Sequence, residues 1–167
     1  MKTLFLTAMT VVFLLCLTIG IQAQTTQTKL DQVELMKQFI GTWKTEMGKD
    51  TTIITDITSF GTIIEENYKI EAKDKILDSG KQLWGYDKEN DKLITAQVSI
   101  SSPNIYIMTF WWTSRSTFEG VLFQNISKPE NASLKWKIEF KSPDLFVMMF
   151  TQNNKVIAAY TYTREKK

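Results

Sequence analysis

Gly41-Thr42-Trp43 near the beginning of the chain and Tyr160-Thr161-Tyr162-Thr163-Arg164 at its end decide the fold. A GxW opening the first strand and an arginine leaving the last one can pin together the two ends of a closed antiparallel barrel. The guanidinium lies flat on the indole, gaining cation–π attraction and keeping water off the barrel floor. Gly41, Trp43 and Arg164 are therefore assigned to structure.

Between these ends the chain reads as strands punctuated at short, regular intervals by turn residues. Gly48-Lys49-Asp50, Asp78-Ser79-Gly80, Lys88-Glu89-Asn90-Asp91, Ser102-Pro103-Asn104 and Ser142-Pro143-Asp144 are typical of them. About ten segments of roughly 6 to 10 residues result. With short connections throughout, the expected fold is all-β: a closed up-and-down antiparallel barrel of about ten strands, which leaves no exposed edge. Leu134, Trp136, Ile138 and Phe140 alternate with Lys135, Lys137, Glu139 and Lys141, as a strand with one dry and one wet face requires. Residues 105–112 and 145–150 are instead apolar on both faces. Either the N-terminal helix covers the outer face there, or a second copy does, making a homodimer.

That helix is expected over 30–40, with Val33, Met36 and Ile40 on one face, Leu30, Leu35 and Phe39 flanking it, and Gly41 as its stop. Its expected role is to plug one end of the barrel. Upstream, residues 1–23 read as a signal peptide: Lys2 is the only charge, an apolar run follows, and Ala23 is a small residue fit for a cleavage site. A longer-lived membrane anchor is the rival reading of so long a run. Residues 24–29 form a polar leader and 30–167 one domain of ample size for a core. The expected location is secreted or periplasmic, with cleavage near Ala23.

Cleavage would remove Cys16, the only cysteine, and the sequence has no histidine. The remaining domain could then form no disulfide, Cys nucleophile, Ser-His-Asp triad or Cys/His zinc site. No metal or cofactor is expected. Of 20 Lys and Arg, losing Lys2 leaves 19 against 18 Asp and Glu. Nothing in that balance suggests the basic surface of a nucleic-acid binder.

The end motifs resemble those of the calycin superfamily, which holds the lipocalins and the intracellular fatty-acid-binding proteins. Met47-Gly48-Lys49-Asp50-Thr51 leaves no room for the helical pair that the fatty-acid-binding proteins carry after their first strand. The layout is more similar to a family of exported, lipocalin-like bacterial barrel proteins. In this sequence its motifs would be Gly41-Thr42-Trp43, Gly85-Tyr86-Asp87 and Tyr162-Thr163-Arg164, with Phe118-Glu119-Gly120 at a mid-chain glycine. A related ten-stranded group binds haem through a histidine, and that activity does not carry over to a chain without one.

Candidate site residues follow from strand parity. Ile63, Glu65, Asn67 and Lys69 make a polar face, which turns Glu66 and Tyr68 inward. A carboxyl beside a phenol in an apolar cavity has a raised pKa and can orient a ligand or move a proton; the alternative is a solvated or ion-paired Glu66 at a barrel mouth. Gln82, Trp84 and Tyr86 share one face of the next strand, as two aromatic walls and a polar handle or as ordinary packing. Trp112 shares a face with Tyr106, Met108 and Phe110. Arg115, at a turn, could reach over a mouth to a ligand carboxylate, or simply be solvated. The expectation is a container for a small apolar or amphipathic molecule. The rivals are a barrel enzyme using Glu66 as general acid or base, and an interaction module whose barrel is filled by its own side chains.

Overall fold

A computed structural model describes residues 29–73 and 75–166. The signal segment 1–23, Cys16 and all but the last residue of the polar leader lie outside the described residues. One helix precedes ten strands: α1 (Gln32–Met36), continued by a 3₁₀ turn (Lys37–Phe39), then β1 (Gly41–Glu46), β2 (Thr51–Phe60), β3 (Ile63–Ala72), β4 (Lys75–Asp87), β5 (Lys92–Ser99), β6 (Ser102–Trp112), β7 (Thr117–Leu122), β8 (Leu134–Ser142), β9 (Leu145–Gln152) and β10 (Lys155–Arg164). Each strand pairs antiparallel with its sequence neighbours, and β1 closes on β10 with Trp43 opposite Arg164.

The closure is the one the end motifs imply. The Arg164 guanidinium sits 4.1 Å above the Trp43 ring, and the indole Nε1 donates to the Phe39 carbonyl at 2.7 Å. Arg164 also donates to the carbonyls of Gln38 (3.0 Å) and Ile40, which the end of the helical segment leaves without partners, and to Pro143 O in the β8–β9 turn. Gly41 has φ +137°, and a Cβ there would collide with the guanidinium. The glycine of the GxW is thus the space that the arginine occupies.

The helix enters the barrel end. Its buried face is Gln32, Met36 and Phe39, not Val33, Met36 and Ile40. The reason is Gln32, whose side-chain amide pairs with the backbone of Trp112 like a strand neighbour: Trp112 N donates to Oε1 at 2.7 Å, and Nε2 donates to Trp112 O at 3.3 Å. Asp31 caps the helix by accepting from Glu34 N at 2.9 Å. Phe39 becomes the hub of an aromatic floor, its ring centroid 5.0–5.8 Å from those of Trp84, Trp112, Phe118, Phe140 and Phe146. Tilted and edge-on contacts of this kind add to what their buried area already contributes.

With its helix inside the barrel end, the chain covers its outer face differently from expectation. The β7–β8 connection lies on the outside of β5–β7: Lys92 Nζ donates to Ile126 O at 3.4 Å and sits 4.2 Å over the Trp111 ring, while outward-facing Thr109 and Val121 are fully buried. Ile105 and Ile107, nearer the other end, remain exposed.

Candidate functional site

Ten strands closed at one end by α1 leave a cavity of about 570 Å³ toward the other. Its geometry follows from register. Glu66 on β3 is opposite Gln82 on β4, Gln82 is opposite Gln97 on β5, and Gln97 is opposite Tyr106 on β6. All four face inward, so a polar stripe runs across four adjacent strands, climbing from Glu66 toward Tyr106 because barrel strands are tilted. Cross-strand neighbours lie within about 5 Å at Cβ. The facing wall is apolar: Leu122, Leu134, Trp136, Ile138, Met148 and Phe150.

Glu66 stands at the bottom of this space, lining both the main cavity and a chamber of about 40 Å³ beneath it that reaches Phe39 and Trp43. Protein surrounds it, yet part of its surface opens to the cavity. Trp84 Nε1 donates to its Oε2 at 3.0 Å, and among the described residues Oε1 receives no hydrogen bond. Burial lifts the carboxyl to about 7, the indole donor pulling only partly the other way. Tyr162, on β10, lines the same two spaces; its own burial, then the charge of Glu66, push its phenol well up.

Nearer the mouth, Gln97 Nε2 donates to Tyr68 Oη (3.2 Å), and Tyr68 Oη donates to Asp78 Oδ2 (3.3 Å). Asp78 Oδ1 accepts from Ser99 Oγ at 2.7 Å and from Ser79 N at 2.9 Å, and these bonds, Ser99's foremost, hold it below the usual carboxylate range. Gly80 makes the chain of bonds sterically accessible. It faces Tyr68 across the ladder, and a Cβ there would come within 2.6 Å of the phenol. Asp78-Ser79-Gly80 is therefore not a turn. It lies inside the 13-residue β4, next to a bulge opposite Ile70 and Glu71.

Four of the candidates come together in the cavity: Glu66, Tyr68, Gln82 and Trp84. The other three do not. Tyr86 lies past the floor on the solvent side, 40% exposed, donating to Asp91 Oδ1 at 2.6 Å. Trp112 is buried in the floor itself, 4.9 Å from Phe118, with its Nε1 unpartnered. Arg115 sits in the β6–β7 turn at the helix end, where its carbonyl accepts from Gln38 Nε2 at 3.1 Å. That places it at the stoppered end of the barrel, away from the mouth. Asp78, Gln97, Tyr106 and Tyr162 were missed as lining residues. Parity alone would have marked Gln97 and Tyr106, which share faces with Thr95 and Met108.

Fold and site together define a class: a closed ten-stranded antiparallel barrel, stoppered by a helix at one end, with an amphipathic cavity opening toward the other. No family model and no curated protein sequence matches the chain.

Proposed function

We propose that this protein is an exported, lipocalin-like container that holds a small apolar or amphipathic molecule non-covalently. The observation that carries the reading is the division of one cavity into a polar stripe (Glu66, Gln82, Gln97, Tyr106) and an apolar wall. Volume and lining both fall within the usual range of small-molecule sites, where apolar burial supplies affinity and a few polar groups set orientation. The resemblance of the end motifs to exported bacterial barrel proteins supports the same view, as does the apolar segment before Ala23, which would carry the chain out of the cell. The outer strip at Ile105 and Ile107 leaves room for a homodimer contact in the same scheme.

Native mass spectrometry of the protein recovered from its own host is the direct test. A co-purifying mass that disappears on denaturation is expected. A bare protein mass, together with unchanged tryptophan fluorescence across a panel of fatty alcohols, amines, acids and flat aromatic probes, would overturn the reading and favour the interaction module. One observation favours a second reading, a barrel enzyme. Glu66 is a deep carboxyl that titrates about 7 and has a free oxygen facing the cavity, which suits a general acid or base. In that case Glu66→Gln abolishes turnover of the bound compound while sparing its binding.

A further inference from the structure

Charge is distributed one-sidedly in the cavity. Among the described residues that line it, two carry a carboxyl, Glu66 and Asp78, and none is Lys or Arg. Glu66 lies at the floor and Asp78 near the mouth, four residues apart along β4 (Asp78 to Gln82, the partner of Glu66), roughly 13 Å. Both oxygens of Asp78 accept hydrogen bonds, Oδ1 from Ser99 and Ser79 and Oδ2 from Tyr68. In Glu66 only Oε2 does, from Trp84, while Oε1 receives none among the described residues. Aromatic rings line the space around it: Trp84, which turns its indole N–H edge to the carboxylate, Tyr162, and Phe110 stacked 5.9 Å from Trp84.

We propose that the ligand is a lipophilic amine, whose ammonium reaches Glu66 at the cavity floor while its apolar body lies along the wall of β7–β9. This deepens the container reading and rests on it. A carboxylate with an unused oxygen in an aromatic-lined cavity is what an ammonium recognises, through an ion pair with charge-assisted hydrogen bonding. The same arrangement repels a fatty acid: its carboxylate would enter a desolvated space that already holds two groups of like charge and no cation to receive it. Asp78 at the mouth draws in the cation, while both its oxygens are already engaged by hydrogen bonds.

Binding of the ammonium takes the ionised form of Glu66, so a protein that holds the carboxylic acid must release its proton to solvent. Affinity for an amine therefore falls as pH drops below about 7 and is flat above it until the amine itself loses its proton. The other titratable groups lining the cavity are Asp78 on β4 and the phenols of Tyr68 on β3, Tyr106 on β6 and Tyr162 on β10. The chamber beneath Glu66 adds none besides Tyr162.

The test compares decylamine, decanol and decanoate, three chains of equal length with a positive, neutral and negative head, by calorimetric titration of the whole protein. At pH 8 decylamine is expected to bind at least about tenfold more tightly than decanol, with decanoate weakest. Between pH 8 and 5.5 the amine affinity is expected to fall about 30-fold while that of decanol stays constant. Glu66→Gln should erase both the amine preference and its pH dependence, bringing decylamine to the affinity of decanol in the same variant, with circular dichroism and a cooperative urea transition reporting that the variant is folded. Asp78→Asn should retain the preference. Decanol and decanoate binding as well as the amine would overturn the amine proposal and leave the container standing. So would an amine preference that survives Glu66→Gln. Binding by none of the three, with no co-purifying mass, would overturn both.

Discussion

The two ends of this barrel are built from the same ten strands and solve opposite problems. At the helix end every inward side chain meets another. Phe39 fills the axis, five aromatic rings surround it, and Arg164 ties helix, first strand and the β8–β9 turn into one unit. At the far end the same inward positions carry Glu66, Gln82, Gln97 and Tyr106 on one side and aliphatic or aromatic groups on the other, with space between. At the packed end Gln32 shows how a buried amide is accommodated, by a two-point bond to the Trp112 backbone, while the Trp112 Nε1 there has no partner. The open end keeps a carboxyl with an unused oxygen. Aromatic packing is concentrated at one end and the unpaired carboxyl oxygen lies toward the other.

The largest effect should come from Phe39→Ala, which empties the centre of the floor. A loss of about 3–5 kcal/mol in urea unfolding is expected; a loss under 1 kcal/mol would mean that the helix does not support the barrel. Next is the pH dependence introduced by Glu66. Its folded-state value, about 7, lies above the ordinary carboxyl value of 4.5, so the native state binds the proton more tightly than the unfolded chain. The stability this contributes is full below pH 4.5 and is lost as pH rises through 7, a decline of up to about 3 kcal/mol. Glu66→Gln should flatten that decline in denaturation midpoints measured from pH 5 to 8, and an unchanged slope would place its cause elsewhere. Arg164→Ala should cost about 2 kcal/mol by removing bonds from a charged donor to three carbonyls, and Arg164→Lys should recover little of it because an ammonium lacks the planar fork. The smallest change is Tyr68→Phe, about 1 kcal/mol from the broken Gln97–Tyr68–Asp78 relay. Its effect should be felt in ligand affinity by calorimetry more than in stability.

The same contrast explains what could be read from the chain. The packed end was legible because its devices are local and typed, GxW and a terminal arginine, although the helix ends at Met36 and its 3₁₀ continuation at Phe39, ahead of Gly41, which opens β1. Strand parity correctly turned Glu66, Tyr68, Gln82 and Trp84 inward, and they line the cavity. Parity says nothing of height along the barrel, however, and Tyr86 and Trp112 share inward faces with lining residues, yet Trp112 lies in the floor and Tyr86 past it. Arg115 was recoverable by counting. A chain that leaves the helix end at Gly41 returns there at every second turn, and the β6–β7 turn is one of those. Gln32 and Asp78 were not recoverable from pattern. Apolar periodicity does not register a buried amide, and Asp-Ser-Gly is turn-forming in composition although here Gly80 makes room for a phenol.

Tryptophan placement offers the most direct test of the division between the ends. Trp84 and Trp136 line the cavity, Trp43 and Trp112 lie in the floor, and Trp111 is on the outer face under Lys92. With 5-fluorotryptophan incorporated and the five ¹⁹F resonances assigned by single Trp→Phe variants, neutral decanol should shift Trp84 and Trp136 and leave Trp111 in place, with Trp43 and Trp112 moving least among the buried indoles. A spectrum in which Trp111 moves and Trp84 and Trp136 do not would put the binding site on the barrel's outside and contradict the account.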